Sequence, residues 1–197
     1  MVRTGRRPGG ADTQSEILAA AREQFAAKGY SGSTIRGIAA AAGVDPALIH
    51  HYFGTKRALF VTAVQLPFHP DEVLAAGVEG DPQQAGERIV RMLLGIWSTE
   101  EGRAATQSLL RSALTDDDLL KMLREFMIDS VVTPLVAAAA SDHHRLRAGF
   151  VASQVIGLAF VRHIAQVEPL ASSDHDTVVR VVAPTLQRYL TGDIGVS

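Results

Sequence analysis

Between Ser33 and Lys56 the chain is punctuated so closely that only short helices fit between the stops. Ser33 or Thr34 is a helix N-cap by type, and the helix it opens reaches about Ala41, with Ile35, Ile38 and Ala39 facing inward. Ala42-Gly43 is the turn, with glycine where a Cβ would clash, and Val44 tucks in behind it. Asp45 is again a good cap and Pro46 is suited to the first helical position, so a second helix starts there and runs to about Tyr52. Ile49 and Phe53, four residues apart, form its inward side. Gly54 ends it, and Thr55 caps a further helix from Lys56 to about Leu66. Alanines 39, 40 and 42 let the two short helices pack closely. Such a pair behind a longer helix is the pattern of a helix-turn-helix. There the first helix braces against a phosphate backbone and the second lies in the major groove.

The longer helix precedes it. Thr13-Gln14-Ser15-Glu16 fits a capping box. Ile17, Leu18, Ala21 and Phe25 then lie on one face, and Lys28-Gly29 closes the helix. Beyond residue 66, Pro67, His69-Pro70 and the stretch from Gly77 to Pro82 read as a loop region and the seam between two parts. Helices are expected near 82–98, 102–113, 116–140, 143–167 and 174–191, bent at Pro134 and kinked at Pro184. No strand-like alternation persists. The expectation is an all-α fold of about nine helices. Residues 1–60 form a three-helix helix-turn-helix domain with a basic arm at 1–11, and residues 61–197 form a helical effector-binding and dimerisation domain.

Charge divides the same way. Residues 1–60 hold eight Lys/Arg and four Asp/Glu, a net +4; the remainder holds 11 and 17, a net −6, and together they give the chain's −2. A basic head on an acidic body suits binding of a polyanion by the head alone. The chain has no cysteine, so disulfides and thiolate metal sites are excluded. The basic start lacks the apolar segment of a signal peptide, and no apolar run is long enough to span a bilayer. A cytoplasmic protein is expected. The seven histidines form no pair with zinc or di-iron spacing, no Gly-rich phosphate loop occurs, and Ser, His and Asp are scattered. No enzyme, metal or cofactor is expected.

The residues Ile17-Leu18-Ala19-Ala20-Ala21, Phe25, Lys28-Gly29-Tyr30, Ser33-Thr34-Ile35-Arg36-Gly37-Ile38-Ala39, Ala42-Gly43-Val44, His51-Tyr52-Phe53-Gly54-Thr55-Lys56 and Leu59-Phe60 resemble the DNA-binding domain of the tetracycline-repressor (TetR) family, in its actinobacterial type. The combination of Gly29-Tyr30, Ile38-Ala39, Ala42-Gly43-Val44 and Tyr52-Phe53-x-x-Lys56 carries the resemblance. It implies a homodimeric, ligand-responsive repressor on a palindromic operator. The alternative from another class is a helical adaptor that binds only protein.

Thr34 is assigned to a phosphate at the start of the second helix, or to a plain cap, and the two roles are compatible. Arg36 lies on the same helix and is counted with the DNA contacts. Tyr52 and Lys56 match the family's phosphate-contacting pair; the other reading of Tyr52 is a rim aromatic packed on the first helix. Pro46 and Ala47 can touch thymine methyls, Leu48 lies beside them, and His50 can reach a base edge or a phosphate. His51 either joins them or packs internally. Asp45-Pro46 stands where relatives often carry Ser-Lys or Ser-Arg, so shape and apolar contact gain weight over hydrogen-bonded readout. Arg3, Arg6 and Arg7 are either a minor-groove arm or a solvated tail.

In the body, residues 143–167 and 174–191 are apolar around most of their circumference, which calls for burial on several sides. Self-association through these helices answers it and fits an isologous dimer. The candidate effector residues are Met92, Leu93, Ile96, Trp97, Leu110, Met122, Leu123, Phe126, Met127 and Phe150, with Arg111, Asp129 and Gln154 as polar members. Any one of the apolar set is equally explained as core. A lining of that kind favours a hydrophobic small molecule.

Overall fold

The structure, a computed structural model, describes residues 10–139 and 142–196. Every regular element among the described residues is a helix, and none is a strand. The chain separates into two compact units, Met1–Gln65 and Leu66–Ser197. The division falls five residues beyond the expected 60/61 boundary, because the fourth helix belongs to the first unit. Its buried face is Leu59, Phe60, Val61, Ala63 and Val64.

The first unit contains α1 (Gly10–Gly32), α2 (Ile35–Ala42), α3 (Pro46–Phe53) and α4 (Lys56–Val64). α1 already runs through Thr13, which lies inside the helix and is not its cap, so the expected capping box does not form. Its break is at Gly29, where φ is 71°. The stop read from Lys28-Gly29 is therefore real, although a last turn resumes beyond it. Ile17, Ala21, Phe25, Ile38, Ile49, Leu59 and Phe60 make the core. Phe60 meets Phe25 edge-on at 4.9 Å and Tyr30 at 5.2 Å. Arg22 Nε donates to the carbonyl of Ala63, 2.7 Å away, and ties the end of α4 to α1.

The second unit contains α5 (Pro70–Val78), α6 (Ala85–Ser98), α7 (Glu100–Ala113), α8 (Asp117–Phe126), α9 (Thr133–Ala139), α10 (His144–His163) and α11 (His175–Thr191). That makes eleven helices among the described residues, against about nine expected. α5 occupies what reads as a loop. His69-Pro70 is a helix start: Pro70 takes the first turn, Asp71 and Glu72 follow it, and Val73 and Gly77 are buried. The other addition comes from 116–140, which divides. Pro134 has no N–H, and its ring crowds the carbonyl four residues back. The chain widens ahead of it into a π-helical segment, Met127–Val132, closed by the Thr133 amide on the carbonyl of Ile128. α11 passes through Pro184 and buries Val178, Val179, Val182, Ala183, Leu186 and Leu190. It packs on α6, whose buried residues recur at helical spacing from Ala85 to Trp97. Gly86 permits this. An added Cβ would stand 2.7 Å from both the carbonyl oxygen of Ala183 and the amide nitrogen of Gln187. Arg147, 4% exposed, donates to the carbonyls of Arg188 and Tyr189 and to Asp142 Oδ1, which closes the end of α11.

Candidate nucleic-acid interface

Every end in the turn between α2 and α3 is capped by a local group. The Thr34 hydroxyl accepts from the Gly37 amide at 3.0 Å, and Thr34 itself is exposed. Gly43 adopts the left-handed conformation, φ 65°, and its amide goes back to carbonyls at the end of α2. The Asp45 carboxylate accepts from the Ala47 amide at 2.7 Å, with Pro46 in the first turn of α3. Choosing between Ser33 and Thr34 needs the third dimension. Thr34 is the cap, whereas Ser33 is buried, its hydroxyl shared between the carbonyls of Gln24 (2.9 Å) and Gly29 (2.7 Å). Ser33 thus braces the motif against α1, and no local sequence signal marks it for that.

α3 buries Ile49 and Phe53 and turns Ala47, His50 and His51 outward. These three fall at i, i+3 and i+4, on one stripe. Pro46, Leu48 and Tyr52 are half-buried at its margins. His51 is exposed rather than packed inside, and its ring meets that of Tyr52 edge-on at 5.3 Å. His50 Nδ1 lies 2.8 Å from the carbonyl of Gly54. A carbonyl can only accept, so Nδ1 carries the proton, and Nε2 of the neutral ring is left as an acceptor. Arg36 is exposed on α2. Arg3, Arg6 and Arg7 lie outside the described residues.

Lys56, expected at a phosphate, has partners within the unit. Its ammonium donates to the carbonyls of Tyr30 (2.9 Å) and Ser33 (3.0 Å) and sits 4.3 Å from the centroid of the Tyr30 ring. Partial burial lowers the lysine's pKa. Two of its three N–H donors therefore close the broken end of α1 and tie α4 to it.

The thirteen residues expected around an effector do not converge on one pocket. Leu93 and Met127 line a small apolar cavity of about 50 Å³ with Val73, Ile89, Leu135 and Val151. Trp97 lines a separate polar cleft with Arg162 and His163. Leu110 borders an open apolar groove with Leu114, Ile156 and Phe160. Met122, Leu123 and Phe126 are buried, while Met92, Ile96 and Gln154 are not fully so. Arg111 and Phe150 are exposed, the latter stacked on Tyr189 at 5.2 Å. Asp129 lies in the π-helical segment and lines none of these three spaces. Helical spacing identifies an apolar face but not the neighbour that face meets.

Two short capped helices around a left-handed glycine, the second presenting an outward stripe of Ala47, His50 and His51, define a helix-turn-helix unit, here joined to a helical body. The model of bacterial regulatory proteins of the tetR family matches residues 17–63. The model of the tetracyclin repressor-like C-terminal domain matches residues 83–190, more than half of the chain. The chain belongs to the tetracycline-repressor family. It is 42% identical over 60 residues to the HTH-type transcriptional repressor AcnR of Corynebacterium efficiens. That match takes in 30% of this chain and 31% of AcnR, so it spans about a third of the curated relative's length. A TetR-family regulator from Streptomyces coelicolor A3 is 36% identical, with 94% of this chain and 98% of that one covered and a TM-score of 0.46. NalD of Pseudomonas aeruginosa, the secondary repressor of the MexAB-OprM multidrug efflux pump, is 20% identical, with 94% and 100% covered and a TM-score of 0.43. No described helix is long and apolar enough to cross a membrane, and no described group of three or more His, Asp or Glu residues is placed to hold a metal ion.

Proposed function

We propose that the protein is a dimeric transcriptional repressor that binds a palindromic operator through α2 and α3 and answers to a small molecule bound in its body. The observation that carries this reading is the outward stripe of Ala47, His50 and His51 on a helix whose other side is locked by Ile49 and Phe53. α3 enters the major groove. Ala47 meets a thymine methyl, and the Nε2 acceptor of His50 takes a hydrogen bond from an adenine N6 or cytosine N4 amino group. The start of α2, with Thr34 and Arg36, and the rim residue Tyr52 hold phosphates. Pro46 and Leu48 pack at the groove edge beside His51. Lys56 keeps α4 in register with these groups.

Two-fold symmetry comes from α10 and α11. Leu146, Phe150 and Ile156 on α10 and Val181 on α11 are exposed apolar residues of the kind a partner subunit covers. Two copies of α3 then meet successive grooves about 34 Å apart. The apolar cavity beside Leu93 and Met127 opens for a hydrophobic effector.

Gel-shift titration against the DNA upstream of the protein's own gene tests the proposal. A specific shift is expected, weakened steeply by salt, with footprinted half-sites one helical turn apart. Equal affinity for unrelated duplexes of the same length refutes it, and His50→Ala should relax preference at one base pair per half-site.

A further inference from the structure

The C-terminal ends of α6 and α10 border a cleft of about 690 Å³. Its wall holds Trp97 from α6, Arg103 from α7, Arg162 and His163 from α10, Glu168 from the connection and His175 from α11. None of these lines the apolar cavity beside Leu93.

Three nitrogens in this wall are buried without a partner: Nε and Nη1 of Arg162 and Nε2 of His163. His163 is only 9% exposed, with its ring edge-on to Trp97 at 5.1 Å. Arg162 has one bond, from Nη2 to the carbonyl of Ser173 at 3.0 Å. Glu168 does not answer the remaining donors. Its Oε2 is taken by the Ser172 hydroxyl at 2.6 Å and amide at 3.2 Å. Gln107 turns its amide group to the carbonyl of His163 at 3.1 Å. Buried polar atoms of folded proteins are nearly all paired, so orphan nitrogens along one cleft, two of them guanidinium donors, mark an acceptor still to come. Two guanidiniums face one carboxylate, and burial together with Arg162 and Arg103 lowers the pKa of His163, keeping its ring neutral near pH 7. Counting Arg103, Arg162 and Glu168, the wall carries a single net positive charge. The volume lies within the range of small-molecule sites, about 300–1,000 Å³.

We propose that this cleft binds a small monoanionic carboxylic acid, its carboxylate held by Arg162 and Arg103 beside His163 and its carbon skeleton against Trp97. One net positive charge suits a monoanion rather than a phosphate dianion, and the indole gives the apolar part of the ligand a surface. The site is read from the body alone and stands independently of operator binding. An anion set against His163 favours the imidazolium that burial, Arg162 and Arg103 disfavour in the empty cleft, so binding takes up a proton and tightens toward lower pH. The other charged or titratable groups lining the cleft are Arg162 on the same helix, Arg103 on α7, Glu168 on the connection and His175 on α11; α6 contributes the uncharged Trp97 ring, edge-on to His163.

Trp97 is the only tryptophan, so intrinsic fluorescence of the full chain reports on this cleft. The probes are acetate, hexanoate and benzoate, with benzamide as the neutral counterpart of benzoate, at constant ionic strength. At least one carboxylate should saturate the signal below about 10 mM, and benzamide should bind about tenfold more weakly than benzoate. R103Q and R162Q should each weaken the best carboxylate about tenfold. H163Q should abolish the tightening at lower pH, and H175Q should preserve it. The inference is overturned if no carboxylate saturates, if benzamide matches benzoate, or if R103Q binds like the wild type. Arg103 is exposed, so R103Q tests the carboxylate contact even where R162Q fails to fold.

Discussion

Replacing Lys56 with alanine separates a lysine that holds the fold from one that merely waits for a phosphate. The ammonium makes two hydrogen bonds, at 2.9 and 3.0 Å, to carbonyls that end α1. Bonds to a charged donor contribute about 1.5–3 kcal/mol each. The lysine is half-exposed, so the lower end applies, and the stacked position over Tyr30 adds about 0.5 kcal/mol. Ordering a lysine side chain costs about 1.5–2 kcal/mol. The balance is a loss of about 2 kcal/mol from the first unit. Amide hydrogen exchange across α1 to α4 measures it directly, because it reads local opening of this unit without requiring the whole chain to unfold together. Exchange of the most protected amides should quicken by roughly thirtyfold, since about 1.4 kcal/mol is a factor of ten. Salt titration of operator binding supplies the second axis. A lysine spent internally leaves the log–log slope within a few tenths of the wild type, whereas loss of one phosphate contact lowers it by about 0.9. Unchanged exchange together with a slope lowered by about one would refute the reasoning.

Three further outcomes follow from the body. Gly86→Ala should lower the urea midpoint read by Trp97 fluorescence, because the new methyl meets the backbone of α11 at 2.7 Å. A cost of about 1–3 kcal/mol for overpacking outweighs the gain of about 1 kcal/mol in helix propensity. Arg147→Met should destabilise the body by about 1–3 kcal/mol, through the uncapped carbonyls of Arg188 and Tyr189. In that variant the Asp142 carboxyl, held low chiefly by its hydrogen bond from Arg147, should return toward the ordinary carboxylate range in an NMR titration. His163 has a lowered pKa in the folded body, so below 6.5 the unfolded chain binds the extra proton and stability is lost as pH falls. Urea midpoints of the wild type should therefore drop more steeply than those of His163→Gln between about pH 7 and pH 5; parallel curves would remove His163 from the account.

Much of the first unit is legible residue by residue. Thr34, Gly43, Asp45, Pro46 and Thr55 act within three or four positions of themselves, and each does locally what its type favours. The inward pair Ile49 and Phe53 follows from helical spacing in the same way, and so does the outward face that it leaves. Thr13 shows the limit of such signals. A capping box is present in the letters, but the chain before it continues the helix and the box has no end to cap. Pro70 misleads in the opposite direction, since proline both breaks helices and opens them, and only the burial of Val73 and Gly77 decides for opening. Pro134 marks an irregularity correctly but not its form, a π-helical widening upstream of it.

What the sequence determines alone is the order of caps, turns and apolar faces, because those free energies are settled between near neighbours along one chain. Where the ammonium of Lys56 goes, why Ser33 is buried, and which apolar residues enclose a cavity instead of a groove depend on elements far apart in the chain meeting at fixed distances. The unpaired nitrogens of Arg162 and His163 are of this second kind. Their meaning comes from the cleft that α6, α7, α10 and α11 build together, and periodicity along any one helix has no access to it.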